Sequence, residues 1–179
     1  MEKTTILDVS SDPVYQELLA NFPNVSKEAL ETILQFSKIS SLINMKREAT
    51  LAEFGLTPGR FHLLMLLKRQ EPVHALSPSD LAKKTGVTRG TMTQFIDAIE
   101  KDNFVKRTED PRDRRGMLVE LTAVGEAKLR EVLPTHIERL EQYTRVLNSE
   151  ERKMMIHIMR KMASTFEDVV EELAPVASI

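Results

Sequence analysis

Arginine is concentrated in one short stretch of this chain. In Arg107-Thr108-Glu109-Asp110-Pro111-Arg112-Asp113-Arg114-Arg115 four of nine residues are arginine, and Gly116 follows at once. A guanidinium suits phosphate and narrow nucleic-acid grooves, because its planar fork makes paired hydrogen bonds and sheds water cheaply. Asp110 and Asp113 are interleaved with these cations and could orient them by side-chain pairing. A second polar set lies just before. From Thr88 to Lys101 the apolar residues Met92, Phe95, Ile96 and Ile99 recur at helical spacing, and together they make one buried stripe. The opposite side then shows Arg89, Gly90, Thr93, Gln94, Asp97 and Lys101. Arginine pairs bidentately with guanine and glutamine with adenine, and a threonine methyl can touch the thymine methyl. Gly90 lets a backbone approach closely, and the helix N-terminus points free N–H groups at phosphate. A polar helix face alone is equally well explained by solvation; the arginine-rich stretch is what favours nucleic acid.

Other chemistries find little support. The 179 residues contain no cysteine, which removes disulfides, thiolate metal sites, a cysteine nucleophile and a thiol-based redox sensor. There is no glycine-rich phosphate loop and no Gly-x-Ser-x-Gly elbow. The four histidines, His62, His74, His136 and His157, sit on different segments, whereas a metal site needs three or four convergent ligands. An enzyme is therefore not expected, nor is any cofactor or metal. No apolar run approaches the roughly 18 residues of a membrane span. The opening Met1-Glu2-Lys3-Thr4-Thr5 runs into mixed polar sequence without a signal-peptide core, so the expectation is a cytoplasmic protein with no membrane partner. Net charge is −2, yet residues 60–115 carry twelve Lys or Arg against eight Asp or Glu. That division suggests a basic surface on an acidic scaffold.

The elements that must position these groups are mostly helices. A short amphipathic turn through Val14, Leu18 and Leu19 closes at Pro23, and a longer helix follows from Ser26 to about Leu51–Gly55. Thr57-Pro58 opens another, with Phe61, Leu64, Met65 and Leu67 as its expected stripe; a capping threonine before proline is a strong start signal. Ser77-Pro78-Ser79-Asp80 opens a short helix that Gly86 ends, and Thr88 caps the next. A short helix, a glycine-containing turn and a second amphipathic helix have helix-turn-helix spacing. The period then changes. Phe104–Arg107 and Met117–Leu121 read as two strands of a hairpin, with Thr108–Gly116 as the charged loop between them. One long helix follows from Thr122 to about Leu147, with Val124, Leu129, Val132, Ile137, Leu140 and Tyr143 apolar and Pro134 as a bend. The last starts at Asn148-Ser149-Glu150-Glu151 and carries Met155, Ile158, Met159, Met162, Phe166, Val169, Val170 and Leu173. The predicted fold class is mainly α with a small β-hairpin wing. Its terminal helices are more apolar than a monomer with a small central unit needs, so an intertwined homodimer is expected over helices that pack only within one chain.

A helix-turn-helix followed at once by a basic hairpin is a winged-helix arrangement, which fits one helix to the major groove and a loop to the adjacent backbone. From Leu56 to Gly125 the chain resembles the MarR family of winged-helix regulators. The resemblance is carried by Leu81-Ala82-Lys83-Lys84-Thr85-Gly86-Val87-Thr88-Arg89-Gly90-Thr91-Met92-Thr93-Gln94, by Ile99–Arg107, by Asp110-Pro111-Arg112-Asp113-Arg114-Arg115-Gly116 and by Leu121-Thr122-Ala123-Val124-Gly125. The Asp-Arg-Arg wing with its Leu-Thr-x-x-Gly step is the specific part; the helix-turn-helix alone would be weak.

The resemblance implies a homodimeric, double-stranded-DNA-binding repressor released by a small ligand. It divides the chain into an N-terminal extension (1–25), dimerisation helices (26–55 and 123–179) and a DNA-binding lobe (56–122). By position it implies DNA contacts at Thr88, Arg89, Gly90, Thr93 and Gln94, phosphate contacts at Ser77 and Ser79, wing contacts at Arg112 and Arg114, and wing braces at Asp113 and Arg115. It also implies an effector pocket near Met45, Phe61, His62 and Met65, suited to an aromatic acid or phenol, although the same residues also read as ordinary core. Asn103 stands where the family often has glycine, and asparagine tolerates the left-handed geometry needed there. The alternative reading is a protein-interaction module that keeps the fold without binding DNA.

Overall fold

Helix starts in this chain are set by short polar side chains, which accept backbone N–H groups that a first helical turn leaves unpaired. The computed structural model describes residues 9–70, 73–111 and 113–166. Asp12 accepts from Val14 N–H ahead of α1 (Pro13–Asn21), and Ser26 Oγ from Ala29 N–H ahead of α2 (Lys27–Ala52). Thr57, Ser77 and Thr88 do the same for α3 (Pro58–Lys68), α4 (Pro78–Thr85) and α5 (Arg89–Lys101). Thr122 caps α6 (Ala123–Thr144), and Asn148 and Glu151 form a reciprocal capping box at α7 (Ser149–Ala163). Proline occupies the start of α1, α3 and α4, where its missing N–H costs nothing.

The chain divides into two units, Met1–Ala49 and Thr50–Ile179. In the first, Lys38 Nζ donates to Asp12 Oδ2 at 2.8 Å and ties the start of α1 to α2. Val9 and Tyr15 are fully buried, while Ile33, Phe36, Ile39 and Met45 of α2 are exposed. In the second, Arg139 of α6 donates both terminal nitrogens to the Glu53 carboxylate, at 2.6 and 2.9 Å, and one of them to Thr50 Oγ1 at 3.1 Å.

The core of the second unit is built from the last turn of α2 and the link after it, from α3 to α6 and from the sheet: Leu51, Leu56, Leu63, Leu64, Leu66, Leu67, Leu81, Met92, Ile96, Ile99, Val105, Val119, Leu129 and Val132 are buried together. On α3 the expected stripe holds at Leu64 and Leu67, which are fully buried, but the buried face is wider than the stripe. Leu63 and Leu66 are buried, whereas Phe61 and Met65 are only half-buried against the core. Every position from Leu63 to Leu67 is apolar, so spacing alone could not fix the rotation. Gly86 takes φ +67° and ends α4, leaving one residue before the Thr88 cap. Met92, Ile96 and Ile99 of α5 are buried as expected, and Phe95 is half-buried. Its ring lies 2.9 Å from where a β-carbon on Gly59 would stand, so α5 meets α3 at a position with no side chain.

Asn103 takes φ +58° in the turn out of α5, the conformation that glycine would otherwise supply. The sheet has three antiparallel strands in the order β1 (Ala75–Leu76), β3 (Asp113–Leu121), β2 (Val105–Asp110). Val105 pairs with Leu121 and the ladder continues to Glu109 opposite Met117; a register shift then sets Asp110 opposite Asp113. The expected loop Thr108–Gly116 is thus mostly strand. An exposed hairpin needs no apolar alternation, so its charged residues hid the pairing. At its base Gly125 packs on the turn: a β-carbon there would stand 2.8 Å from Leu121 Cδ1, 2.9 Å from Phe104 C and closer still to Phe104 O.

On α6 Leu129, Val132 and His136 are buried, but Val124, Ile137 and Leu140 of the expected stripe are exposed. On α7 Met154, Met155, Ile156, Ile158 and Met159 are all exposed. Val169, Val170 and Leu173 lie outside the described residues. Among the described residues no helix is long and apolar enough to cross a membrane.

Candidate nucleic-acid interface

The face opposite the buried stripe of α5 is built from the N-terminus down. Thr88 Oγ1 accepts from Thr91 N–H at 3.2 Å and lies 2.9 Å from Thr91 Oγ1. Arg89, Gly90, Thr93, Gln94, Asp97 and Lys101 are all exposed, as the helical spacing requires. Thr93 Oγ1 donates to the Arg89 carbonyl at 3.0 Å, which leaves its methyl for apolar contact. A β-carbon on Gly90 would meet only Thr88 Oγ1, at 3.9 Å, so the fold itself does not require glycine there. Ser77 and Ser79 hold their hydroxyls 2.9 Å apart at the start of α4, and Ser77 Oγ also donates to Asp80 Oδ2 at 2.6 Å.

The wing residues are placed less evenly. Asp113 begins β3 and is exposed. Arg114 and Arg115 belong to the same strand by backbone, and their side chains, with all of Arg112, lie outside the described residues. Gly116 packs at the turn end of the hairpin, where a β-carbon would stand 3.1 Å from Asp110 Cβ and 3.2 Å from the Asp113 carbonyl oxygen. Arg107, counted among the wing arginines from sequence, is bound to α5 instead. Its guanidinium donates to Asp97 Oδ1 and Glu100 Oε2, and its backbone N–H donates to Glu100 Oε1 at 3.1 Å. The hydrogen bond to Asp97, then the charges of Glu100 and Asp97, raise the guanidinium's hold on its proton against the opposing effect of partial burial. Sequence reasoning missed this clamp. Its signal was two carboxylates three residues apart on one helix, followed by an arginine on the next strand.

Of the residues expected at a pocket, Phe61, His62 and Met65 are half-buried on α3 and Met45 is exposed on α2. Phe61 carries a neighbour that spacing did not indicate: the His136 ring lies 4.8 Å away, tilted by 54°. Among the described residues no group of three or more His, Asp or Glu side chains is placed to hold a metal ion.

Residues 56–117 match the model of the MarR family. The chain is 33% identical over 150 residues to the HTH-type transcriptional repressor YetL of Bacillus subtilis, an alignment that spans 82% of this chain and 89% of that protein. Among solved structures it superposes on Sco3205 of Streptomyces coelicolor, a MarR family regulator in complex with DNA, with a TM-score of 0.70 and 26% identity, over 79% of this chain and 93% of that one. It also matches Bordetella bronchiseptica BpsR, whose DNA binding is regulated by 6-hydroxynicotinic acid, with a TM-score of 0.56 and 28% identity over 72% and 98% of the two chains. On the family-model match and the identity to the repressor YetL over most of both chains, the chain belongs to the MarR family of winged-helix transcriptional regulators.

Proposed function

We propose that this protein is a sequence-specific repressor that binds double-stranded DNA as a homodimer, on a pseudo-palindromic operator, and is released by a small aromatic effector. The observation that carries the reading is the face of α5: Arg89, Gly90, Thr93 and Gln94 are exposed together on a helix whose other side is locked into the core. Such a helix can enter a major groove without unfolding anything. Thr88, Arg89, Gly90, Thr93 and Gln94 would read or approach the bases, and Ser77 and Ser79 would meet phosphate. Arg112 and Arg114 would reach DNA from the wing, with Asp113 and Arg115 as its braces. The likeness to the DNA-bound regulator supports this use of the fold.

A homodimer is supported by apolar surface that one chain leaves uncovered. Ile33, Phe36 and Ile39 on α2, and Met155, Ile158 and Met159 on α7, are exposed at helical spacing; contiguous surface of this kind marks an interface. Residues 26–55 and 123–179 would supply it, with 56–122 as the DNA-binding lobe and 1–25 as an extension. Two symmetric copies would present two copies of α5, hence a two-fold operator. Phe61, His62 and Met65 of α3 would receive the effector, by analogy with a relative whose DNA binding is regulated by 6-hydroxynicotinic acid. Acting on DNA, the protein would work in the cytoplasm.

The test is selection from random duplex DNA at about 150 mM salt, with the oligomeric state of the purified protein measured in parallel. A pseudo-palindrome with half-sites about one helical turn apart supports the reading. Failure to enrich any duplex, repeated after unfolding and refolding to strip bound ligand, overturns it in favour of an interaction module.

A further inference from the structure

Asp97 and Glu100 stand three residues apart on α5, and Asp97 follows Gln94 by three and Thr93 by four. They therefore extend the side of the helix proposed to face DNA. Two carboxylates there are a liability, because duplex DNA carries a negative charge about every 1.7 Å along its axis. One side chain from the neighbouring strand takes up both. Arg107 Nη2 donates to Asp97 Oδ1 and Nη1 to Glu100 Oε2, while the backbone N–H of the same residue holds Glu100 Oε1 at 3.1 Å. The fold has little need of this arrangement. The side chains are 33% exposed for Arg107, 58% for Asp97 and 33% for Glu100, and ion pairs so open to water contribute little stability. The other cation on that strand, Lys106, pairs instead with Glu120 across the sheet, at 3.0 Å.

We infer that Arg107 is a positioning residue for DNA binding, whose task is to neutralise Asp97 and Glu100 so that α5 can approach the phosphate backbone, and not to contact DNA itself. The inference rests on the reading that α5 faces duplex DNA. It separates Arg107 from the other arginines of the stretch, which would donate to DNA directly.

The test is a charge-compensation series on the full-length protein, with affinity for its selected duplex measured from low to high salt and the thermal unfolding midpoint of each variant measured alongside. Arg107→Ala uncovers both carboxylates and is expected to weaken binding roughly tenfold to a hundredfold at low salt, on every sequence alike. The deficit shrinks as salt rises, since the repulsion is screened. Arg107→Ala combined with Asp97→Asn and Glu100→Gln restores affinity to within roughly twofold of the parent. Asp97→Asn/Glu100→Gln alone binds at least as tightly as the parent, although the clamp is broken in it too. A compensated triple variant as weak as Arg107→Ala overturns the inference, as does an Asp97→Asn/Glu100→Gln variant that loses affinity like Arg107→Ala. Should Arg107→Ala fail to fold, the carboxylate pair with Arg107 intact carries the test alone. A parent that selects no duplex overturns the functional reading and this inference with it.

Discussion

Gly125 offers the sharpest test of the packing at the base of the wing. A β-carbon at this position would stand 2.9 Å from Phe104 C, 2.8 Å from Leu121 Cδ1 and within overlap distance of Phe104 O. The obstacle is backbone, which cannot rotate aside as a long side chain could. The Phe104 carbonyl is also engaged, because it accepts from Thr122 N–H at 3.0 Å and from Thr122 Oγ1 at 3.1 Å. Overpacking of a fixed site costs about 1–3 kcal/mol, and a clash with backbone belongs at the top of that range. Displacing the carbonyl weakens two hydrogen bonds of about 1 kcal/mol each, while alanine's better helix propensity returns about 1 kcal/mol. Gly125→Ala is therefore expected to destabilise by about 3–4 kcal/mol and to lower Tm by roughly 10 °C. Urea and thermal unfolding followed by circular dichroism measure this, at one protein concentration because dimerisation would shift apparent stability. A loss under about 1 kcal/mol would mean that the turn yields easily and that the packing argument is wrong.

The remaining predictions concern binding and pH. Gly90→Ala meets only Thr88 Oγ1, at 3.9 Å, so unfolding should show unchanged or slightly raised stability while DNA affinity falls; equal affinity would remove Gly90 from the interface. Gln94→Ala should cost about 1–3 kcal/mol at one base position and little elsewhere, which a repeat of the selection reads as relaxed preference at that position. Glu53 is held below its ordinary value of 4.5 by its hydrogen bonds from Arg139, with Arg139's charge adding to the effect and burial opposing it. A depressed folded-state value means that the pair's stability is complete above pH 4.5 and is lost as pH falls through that lower value. Glu53→Gln should therefore be less stable than the parent at neutral pH and converge with it in acid; a constant difference across unfolding curves from neutral to acid pH would contradict the pairing.

Much of the helical frame was legible because it is written in local chemistry. Thr57, Ser77, Thr88 and Asn148 cap as read, since a hydroxyl or amide before a periodic run has one obvious use. The outward face of α5 followed from its stripe. What failed were features fixed by partners distant in sequence. The pair Ala75–Leu76 becomes a strand only because Val119 and Glu120 are beside it, and two residues carry no period. The charged wing residues Thr108, Glu109 and Asp110 are strand because β3 pairs with them. His136 is buried against Phe61 from a helix whose apolar spacing pointed to Ile137 and Leu140. Arg107 reads as one more wing cation until Asp97 and Glu100 are seen beside it.

The sheet also has a consequence for how copies of this chain can associate. β3 lies between its neighbours, and β1, two residues long, pairs only with Val119 and Glu120. The outer margin of β2 runs through Lys106, Arg107, Thr108, Glu109 and Asp110, and the stretch of β3 beyond β1 begins Asp113-Arg114-Arg115. Open strand margins invite pairing with another chain, and short strands, charged side chains and register breaks are what discourage it. Here all three occur, the break falling between Glu109 and Asp110. Strand-to-strand pairing between copies is thus disfavoured by the charged residues of the hairpin, so the proposed dimer would have to form through the apolar helices.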